Sequence, residues 1–248
     1  GVSIMTLVVR KMFFAVAAGV MTWAACASSA QAALVLMGTR VVYPSDAKDV
    51  SIRARNEGSE PMLTQVWVDD GSAGIAPANM VVPFTVSPVL TRVDPNSSAL
   101  IRLTYTGGEL PDDRESLFYL NVLEAPPRSD STTSAMFTFR TRIKIFFRPA
   151  ALRDGQEDAP AALEWKLVGS GGSRALEVKN PTPFHVSMSS IESVVGGKRT
   201  SIGNGMVEPY GVQRFKLPQG TGSGKIRVEY EAINDFGGRH TLTRELSR

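Results

Sequence analysis

Cysteine is almost missing from this chain: 248 residues contain one, Cys26. It falls in a segment expected to be removed, so neither a disulfide nor a thiolate metal site can stabilise the remainder. Histidine is nearly as scarce. His185 and His240 have no cysteine or carboxylate at ligand spacing, so no metal is expected. Catalytic signatures are lacking too. No Gly-x-Ser-x-Gly elbow occurs and neither histidine has a nucleophile in its local sequence, which argues against an exported hydrolase and against an enzyme of any kind. The stretch Gly220 to Lys225 fails as a phosphate loop, because Gln219 stands where its first glycine belongs and Ile226 where Ser or Thr is needed. It reads as a hairpin turn. The run Asp112, Asp113, Arg114, Glu115 reads as loop acidity before a strand. No cofactor and no small-molecule substrate are implied.

A basic excess is also missing. The formal charge is +3, and it falls to +1 once Arg10 and Lys11 leave with the first thirty-two residues, 3 − 2 = 1. No other Lys/Arg-rich patch exists, so a nucleic-acid partner is not expected. Arg10 and Lys11 precede an apolar run from Met12 through Cys26, and Ala30, Gln31 and Ala32 supply a small-x-small cleavage site. Residues 1–32 therefore read as a signal peptide, with mature protein beginning at Ala33. The apolar run is short for a bilayer-spanning anchor.

The whole chain is 43% apolar and 21% charged, as in soluble globular proteins. From Ala33 onward, short stretches alternate apolar and polar residues and no segment sustains a helical period. Strands are expected over residues 34–43, 49–56, 62–69, 82–86, 89–93, 98–105, 116–123 and 134–149. They are separated by turn residues such as Asn56-Glu57-Gly58 and Asp94-Pro95-Asn96. This is the pattern of an immunoglobulin-like β-sandwich. Arg148-Pro149 closes the last strand, and residues 150–160, rich in Ala, Asp, Glu and Gly, form the best boundary. A second set of strands is expected at 163–167, 175–179, 184–195, 206–207, 213–217, 225–232 and 240–245. The expected class is all-β, with one domain over residues 33–153 and another over 154–248.

The stretch from Ser134 to Pro149 has the sharpest chemistry. As a strand it places Ala135, Phe137, Phe139, Ile143, Ile145 and Phe147 on one face, with only Thr141 polar. Thr138, Arg140, Arg142, Lys144 and Arg148 fall on the other, with Met136 and Phe146 as exceptions. Periodicity alone leaves open whether Phe137 and Phe139 serve this protein's own core or another protein.

Six segments in order resemble the chaperones of the chaperone-usher pathway, which assembles pili and fimbriae. They are Gly38 to Tyr43, Pro88 to Pro95, Arg114 to Pro127 (RESLFYLNVLEAPP), Arg142 to Pro149, Val178 to Phe184, and Ile233 to Gly238. The resemblance implies two immunoglobulin-like sandwiches arranged as a boomerang with a cleft between them, and a periplasmic protein. It also implies donor-strand complementation: the chaperone binds, folds and caps a pilin subunit that lacks its last strand, then delivers it to the outer-membrane usher. By motif position, Ala135, Phe137 and Phe139 would fill the subunit groove. Arg40 and Lys144 would anchor the subunit's C-terminal carboxylate, and Glu115, Arg148 and Asp235 would form an interdomain salt bridge. Pro88, Val89 and Leu90 match a usher contact, and an exposed Phe137/Phe139 edge would favour a self-capping homodimer. The short connection from Leu123 to Ser134 and the absence of mature cysteine resemble the short-loop branch that serves rod-like pili. The alternative is a pilus structural subunit, but subunits usually have a disulfide and a single incomplete sandwich.

Overall fold

The computed structural model describes residues 33–72, 74–126, 137–221 and 224–246. The expected signal peptide, residues 1–32, and Ala135 lie outside the described residues. Two immunoglobulin-like β-sandwiches follow one another along the chain.

The first contains β1 (Leu34–Leu36), β2 (Arg40–Pro44), β3 (Val50–Asn56), β4 (Met62–Asp69), β5 (Phe84–Ser87), β6 (Leu90–Val93), β7 (Ser98–Tyr105), β8 (Ser116–Ala125) and β9 (Phe139–Arg148). One sheet has the order β1-β3-β7-β5 and the other β2-β9-β8-β4-β6. Alternation decides what each face meets. In β3, Ile52, Ala54 and Asn56 point inward while Ser51, Arg53 and Arg55 face water. Leu34, Ile52, Ile101 and Leu103 of the first sheet thus pack against Val66, Leu120, Ile145 and Phe147 of the second.

The second sandwich contains β10 (Glu164–Val168), β11 (Ala175–Lys179), β12 (Val186–Val195), β13 (Lys198–Val207), β14 (Val212–Lys216), β15 (Ile226–Ile233) and β16 (Arg239–Glu245). Its sheets are β10-β11-β14 and β13-β12-β15-β16. Its core includes Leu176, Val178, Ile191, Val228 and Tyr230. Between the sandwiches, 3₁₀ turns occupy Ala150–Leu152 and Gln156–Ala162.

Four expectations need correction. The strand expected over residues 34–43 is two. Gly38 (φ 144°) breaks it, with β1 pairing β3 in one sheet and β2 pairing β9 in the other. Among the described residues the strand expected from Ser134 begins at Phe139, and Phe137 and Thr138 precede it without strand pairing. The short strand expected at 206–207 is the ten-residue β13. Its glycines look like turn residues, but a Cβ on Gly205 would lie 2.9 Å from the Phe215 ring, so glycine is there for close packing. Nor is Gly220 to Gly224 a hairpin turn, because β14 pairs with β11 while β15 pairs with β12 and β16, so the segment crosses between sheets.

Tyr43 ties these layers together. Its ring is fully buried between Phe84 (5.5 Å between centroids) and Phe147 (6.0 Å, stacked). Its hydroxyl shares a proton between the carbonyls of Ala47 and Lys48 and accepts the Tyr105 N–H at 3.0 Å. Tyr43→Phe keeps the ring and leaves these groups without their partner, a cost of about 1–3 kcal/mol. Urea unfolding should show a lower midpoint at unchanged m. An unshifted midpoint would contradict this role.

Candidate functional site

β9 meets three different environments along ten residues. Nearly its whole length pairs with β8, from Phe139↔Glu124 to Phe147↔Ser116. Its other edge is covered by β2 only from Arg40↔Lys144 to Pro44↔Arg148, in parallel register. Among the described residues, Phe139 to Ile143 therefore have no strand neighbour on that side, the condition that invites another strand. Phe137, just before the strand, is 62% exposed, and Phe139 is half-buried.

The alternate face of β9 changes character at Lys144. Arg140 and Arg142 lie over Trp67 and Tyr119, their guanidinium carbons 5.0 and 3.6 Å from the ring centroids. They surround buried Asp69, which Arg142 and Asn121 bond directly. Burial works against that carboxylate's charge, but the bonds from Arg142 and Asn121 prevail and hold its pKa below the ordinary value. A cavity of about 500 Å³ lined by Trp67, Asp69 and both arginines opens here, on the outer face of β9.

From Lys144 onward this face meets the second sandwich. Phe146, an exception to the expected alternation, is buried with its ring 5.4 Å from that of His185. Arg148 bonds Glu115 at 2.8 Å and Asp235 at 2.7 and 2.9 Å, so one guanidinium joins both sandwiches. The other oxygen of Glu115 accepts the His185 backbone N–H at 2.8 Å and lies 3.2 Å from His185 Nδ1. Asp235 is presented by a tight turn in which Asn234 Oδ1 accepts the N–H groups of Phe236 and Gly238. Gly237 (φ 83°) must be glycine, because a Cβ would lie 2.7 Å from Thr39 Oγ1.

Arg40 and Lys144 stand abreast on β2 and β9 at this junction. Arg40 donates to the Ile233 carbonyl at 3.2 Å and lies 5.6 Å from the Phe146 ring centre, and its Nε is buried without a partner among the described residues. Lys144 donates to Ser187 Oγ at 3.1 Å and forms no ion pair among the described residues. An ammonium has three donors, so two remain unassigned. Burial lowers the pKa of Arg40, against the opposing charges of Asp235 and Glu115. Burial and then the charge of Arg40 lower that of Lys144. Among these described residues three cations, Arg40, Lys144 and Arg148, face two carboxylates, Glu115 and Asp235, so one positive charge is in excess.

Pro88, Val89 and Leu90 lie elsewhere, where β5 passes into β6. Val89 and Leu90 are exposed, and Leu63 on neighbouring β4 is exposed as well. Sequence reasoning missed His185, Ser187 and Phe146. Only the break in alternation at Phe146 signalled a second burying surface.

Comparison with known proteins gives a consistent result. Residues 33–153 match the family described as "Pili and flagellar-assembly chaperone, PapD N-terminal domain", and residues 158–244 match "Pili assembly chaperone PapD, C-terminal domain". The chain is 42% identical to the probable fimbrial chaperone YadV of Escherichia coli (strain K12), over 88% of this chain and 91% of that protein. It is similar to the crystal structure of the Pseudomonas aeruginosa CupB2 chaperone, with 42% identity and TM-score 0.75, over 86% of this chain and 100% of that one. It is also similar to a chain of the Salmonella enterica complex of SafA pilin with the SafB chaperone, with 30% identity and TM-score 0.73, over 88% of this chain and 99% of that one.

The depressed pKa of Lys144 has a measurable consequence. Its folded-state value lies below the unfolded value of about 10.4, so the penalty is fully present at lower pH and is relieved as pH climbs from the folded value to the unfolded one. The isolated protein should gain stability across that window. Lys144→Met should remove this part of the pH dependence and raise stability at neutral pH, where the penalty on the ammonium is fully present. Chemical denaturation at several pH values checks both, and a destabilised variant would contradict the strained-charge reading.

Proposed function

The chain belongs to the family of PapD-type pilus-assembly chaperones, and from that membership we propose that β9 acts as a lent strand for pilin subunits, anchored by Arg40 and Lys144. The protein is a fimbrial chaperone and not a pilus subunit, since both halves match chaperone domains. Its family is one of assembly factors rather than enzymes.

The observation carrying the reading is where the unpaired edge stops. Among the described residues Phe139 to Ile143 lack a neighbour on one side, and at the end of that gap sit two cations with one charge in excess. A subunit strand running along this edge satisfies the open backbone of both proteins. Its terminal carboxylate then reaches Arg40 and Lys144 and exchanges water for charge-assisted hydrogen bonds. Phe137 and Phe139, with Ala135 in the same alternation, enter the subunit's exposed core. The Arg148, Glu115 and Asp235 cluster holds the two sandwiches at the angle that forms this seat.

Three further roles belong to the same proposal. Pro88, Val89 and Leu90 contact the outer-membrane usher, a reading supported by the exposure of Val89, Leu90 and neighbouring Leu63. In the absence of subunit, a second copy covers the open edge as a self-capping homodimer. The site of action is the periplasm, reached by export and removal of residues 1–32.

Co-expression with a cognate subunit tests the anchor. Arg40→Ala and Lys144→Ala should each weaken the complex by roughly 2–5 kcal/mol and abolish recovery of soluble subunit, while the chaperone stays folded. Replacing Phe137 and Phe139 together by Ser should cost about 1.5–3 kcal/mol for each ring buried. Alanine at the exposed Arg53 and Arg102 serves as a charge control. If those controls and the two anchor variants all recover subunit equally well, the anchor reading is wrong.

A further inference from the structure

A buried carboxylate far from the junction has no counter-ion among the described residues. Glu124 of β8 is 4% exposed and directly opposite Thr64 of β4 in antiparallel register. Its Oε2 accepts the Leu34 N–H at 2.7 Å, and the Ala33 N–H also bonds this carboxylate. Among the described residues its Oε1 is buried with no hydrogen-bond partner, and so is the Thr64 hydroxyl. No described Lys, Arg or His forms an ion pair with Glu124. An unpaired buried carboxylate is costly, and burial pushes its pKa up.

The chain segment that reaches this carboxylate is firmly seated. The Ala33 carbonyl accepts the Glu57 N–H at 2.8 Å, and Leu34 pairs with Asn56. A Cβ on Gly58 would lie 2.7 Å from Ala33 Cβ, so the glycine makes room for this residue. Two orphaned polar oxygens and a seated backbone nitrogen thus share one site that the junction does not use.

We infer that Glu124 and Thr64 form a receptor for the α-ammonium of Ala33, created when the leader is cut after Ala32. The inference rests on the reading that residues 1–32 are removed. Hydrolysis of the Ala32–Ala33 amide adds water across that bond. It releases Ala32 as a carboxylate and turns the Ala33 nitrogen from an amide with one donor into an ammonium with three donors and a positive charge. The new charge compensates Glu124, and the new donors reach its free oxygen and the Thr64 hydroxyl. The ion pair fastens the start of β1, and the same chain segment turns at Gly38 to deliver Arg40 on β2. Leader removal thereby completes the N-terminal sandwich as well as freeing the protein.

A double-mutant cycle on the mature chain tests the pair. The protein is released from a cleavable fusion so that it begins at Ala33, and is compared with the same protein carrying one extra glycine ahead of Ala33. Both are made with Glu124 and with Glu124→Gln, which preserves an acceptor for the Leu34 N–H. The extension should lower the unfolding midpoint by about 5 °C when Glu124 is present. In the Glu124→Gln background, where no carboxylate charge remains, it should change the midpoint little, so the two changes are strongly non-additive. Acylation of the Ala33 amine at neutral pH should be about tenfold slower in the wild type than in Glu124→Gln, because the ion pair keeps the amine protonated and only the neutral form reacts. An additive cycle or equal acylation rates would overturn the pair while leaving subunit capture untouched. Edman sequencing of periplasmic protein should begin at Ala33. A different terminus would overturn the cleavage reading and this inference with it, again without bearing on the Arg40 and Lys144 anchor.

Discussion

The guanidinium of Arg148 is the constraint on which the junction depends. It sits at the end of β9, almost fully buried, and divides its donors between Glu115 of its own sandwich and Asp235 of the other. A planar fork bonded to two carboxylates in this way fixes direction as well as distance. Glu115 is itself held by the backbone and ring of His185, and Asp235 by the turn from Asn234 to Gly238. Neither carboxylate is free to swing away. Any net stability such a buried cluster adds is secondary. Its geometric effect is to set where the second sandwich stands against the face of β9 that carries Lys144.

That placement makes Arg40 and Lys144 a strained pair rather than an ordinary surface feature. Like charges stand on adjacent strands, both are partly withdrawn from water, and the nearest carboxylates are already engaged by Arg148. Such an arrangement is unfavourable for the isolated protein and favourable for a complex that brings in a carboxylate. In the proposed anchor, binding energy would be drawn from relief of repulsion as well as from new bonds. The neighbouring Arg140 and Arg142 differ, because Asp69 lies between them and the aromatic rings of Trp67 and Tyr119 lie beneath. The cations on this face of β9 thus divide by their partners. Arg140 and Arg142 share Asp69 and rest on aromatic rings, whereas Lys144 and Arg148 belong to the junction.

The β class and most strands are legible in the sequence, because alternation in segments such as Val50–Asn56 and Ser98–Tyr105 reports which side is buried. Where one glycine can mean either a turn or a close approach, local reading fails. It absorbs Gly38 into a strand that this residue ends, and it leaves Gly203 and Gly205 out of a strand they belong to. The residues of the junction are nameable only through resemblance to a family, since a strand arginine such as Arg40 has no local mark separating it from Arg53. Tertiary partners make that difference: Arg40 reaches Ile233 of the other sandwich, whereas Arg53 faces water. His185 and Ser187 are invisible for the same reason, because their roles arise only when the second sandwich meets β9.

The turn at Gly38 also explains why β9 has an open edge at all. The parallel register pairs Arg40 with Lys144, an offset of 144 − 40 = 104, so a straight continuation of β2 toward the N-terminus would place residues 35–39 beside 139–143. Those are the positions of β9 that have no neighbour on that side among the described residues. The chain instead turns at Gly38, and β1 crosses to pair with β3 in the opposite sheet. One change of sheet therefore vacates the edge from Phe139 to Ile143 and, by the same step, leaves Arg40 as the first residue of β2, beside Lys144 where the vacancy ends. The opening and its cationic stop are two consequences of a single backbone turn, and neither could be moved along β9 without moving the other.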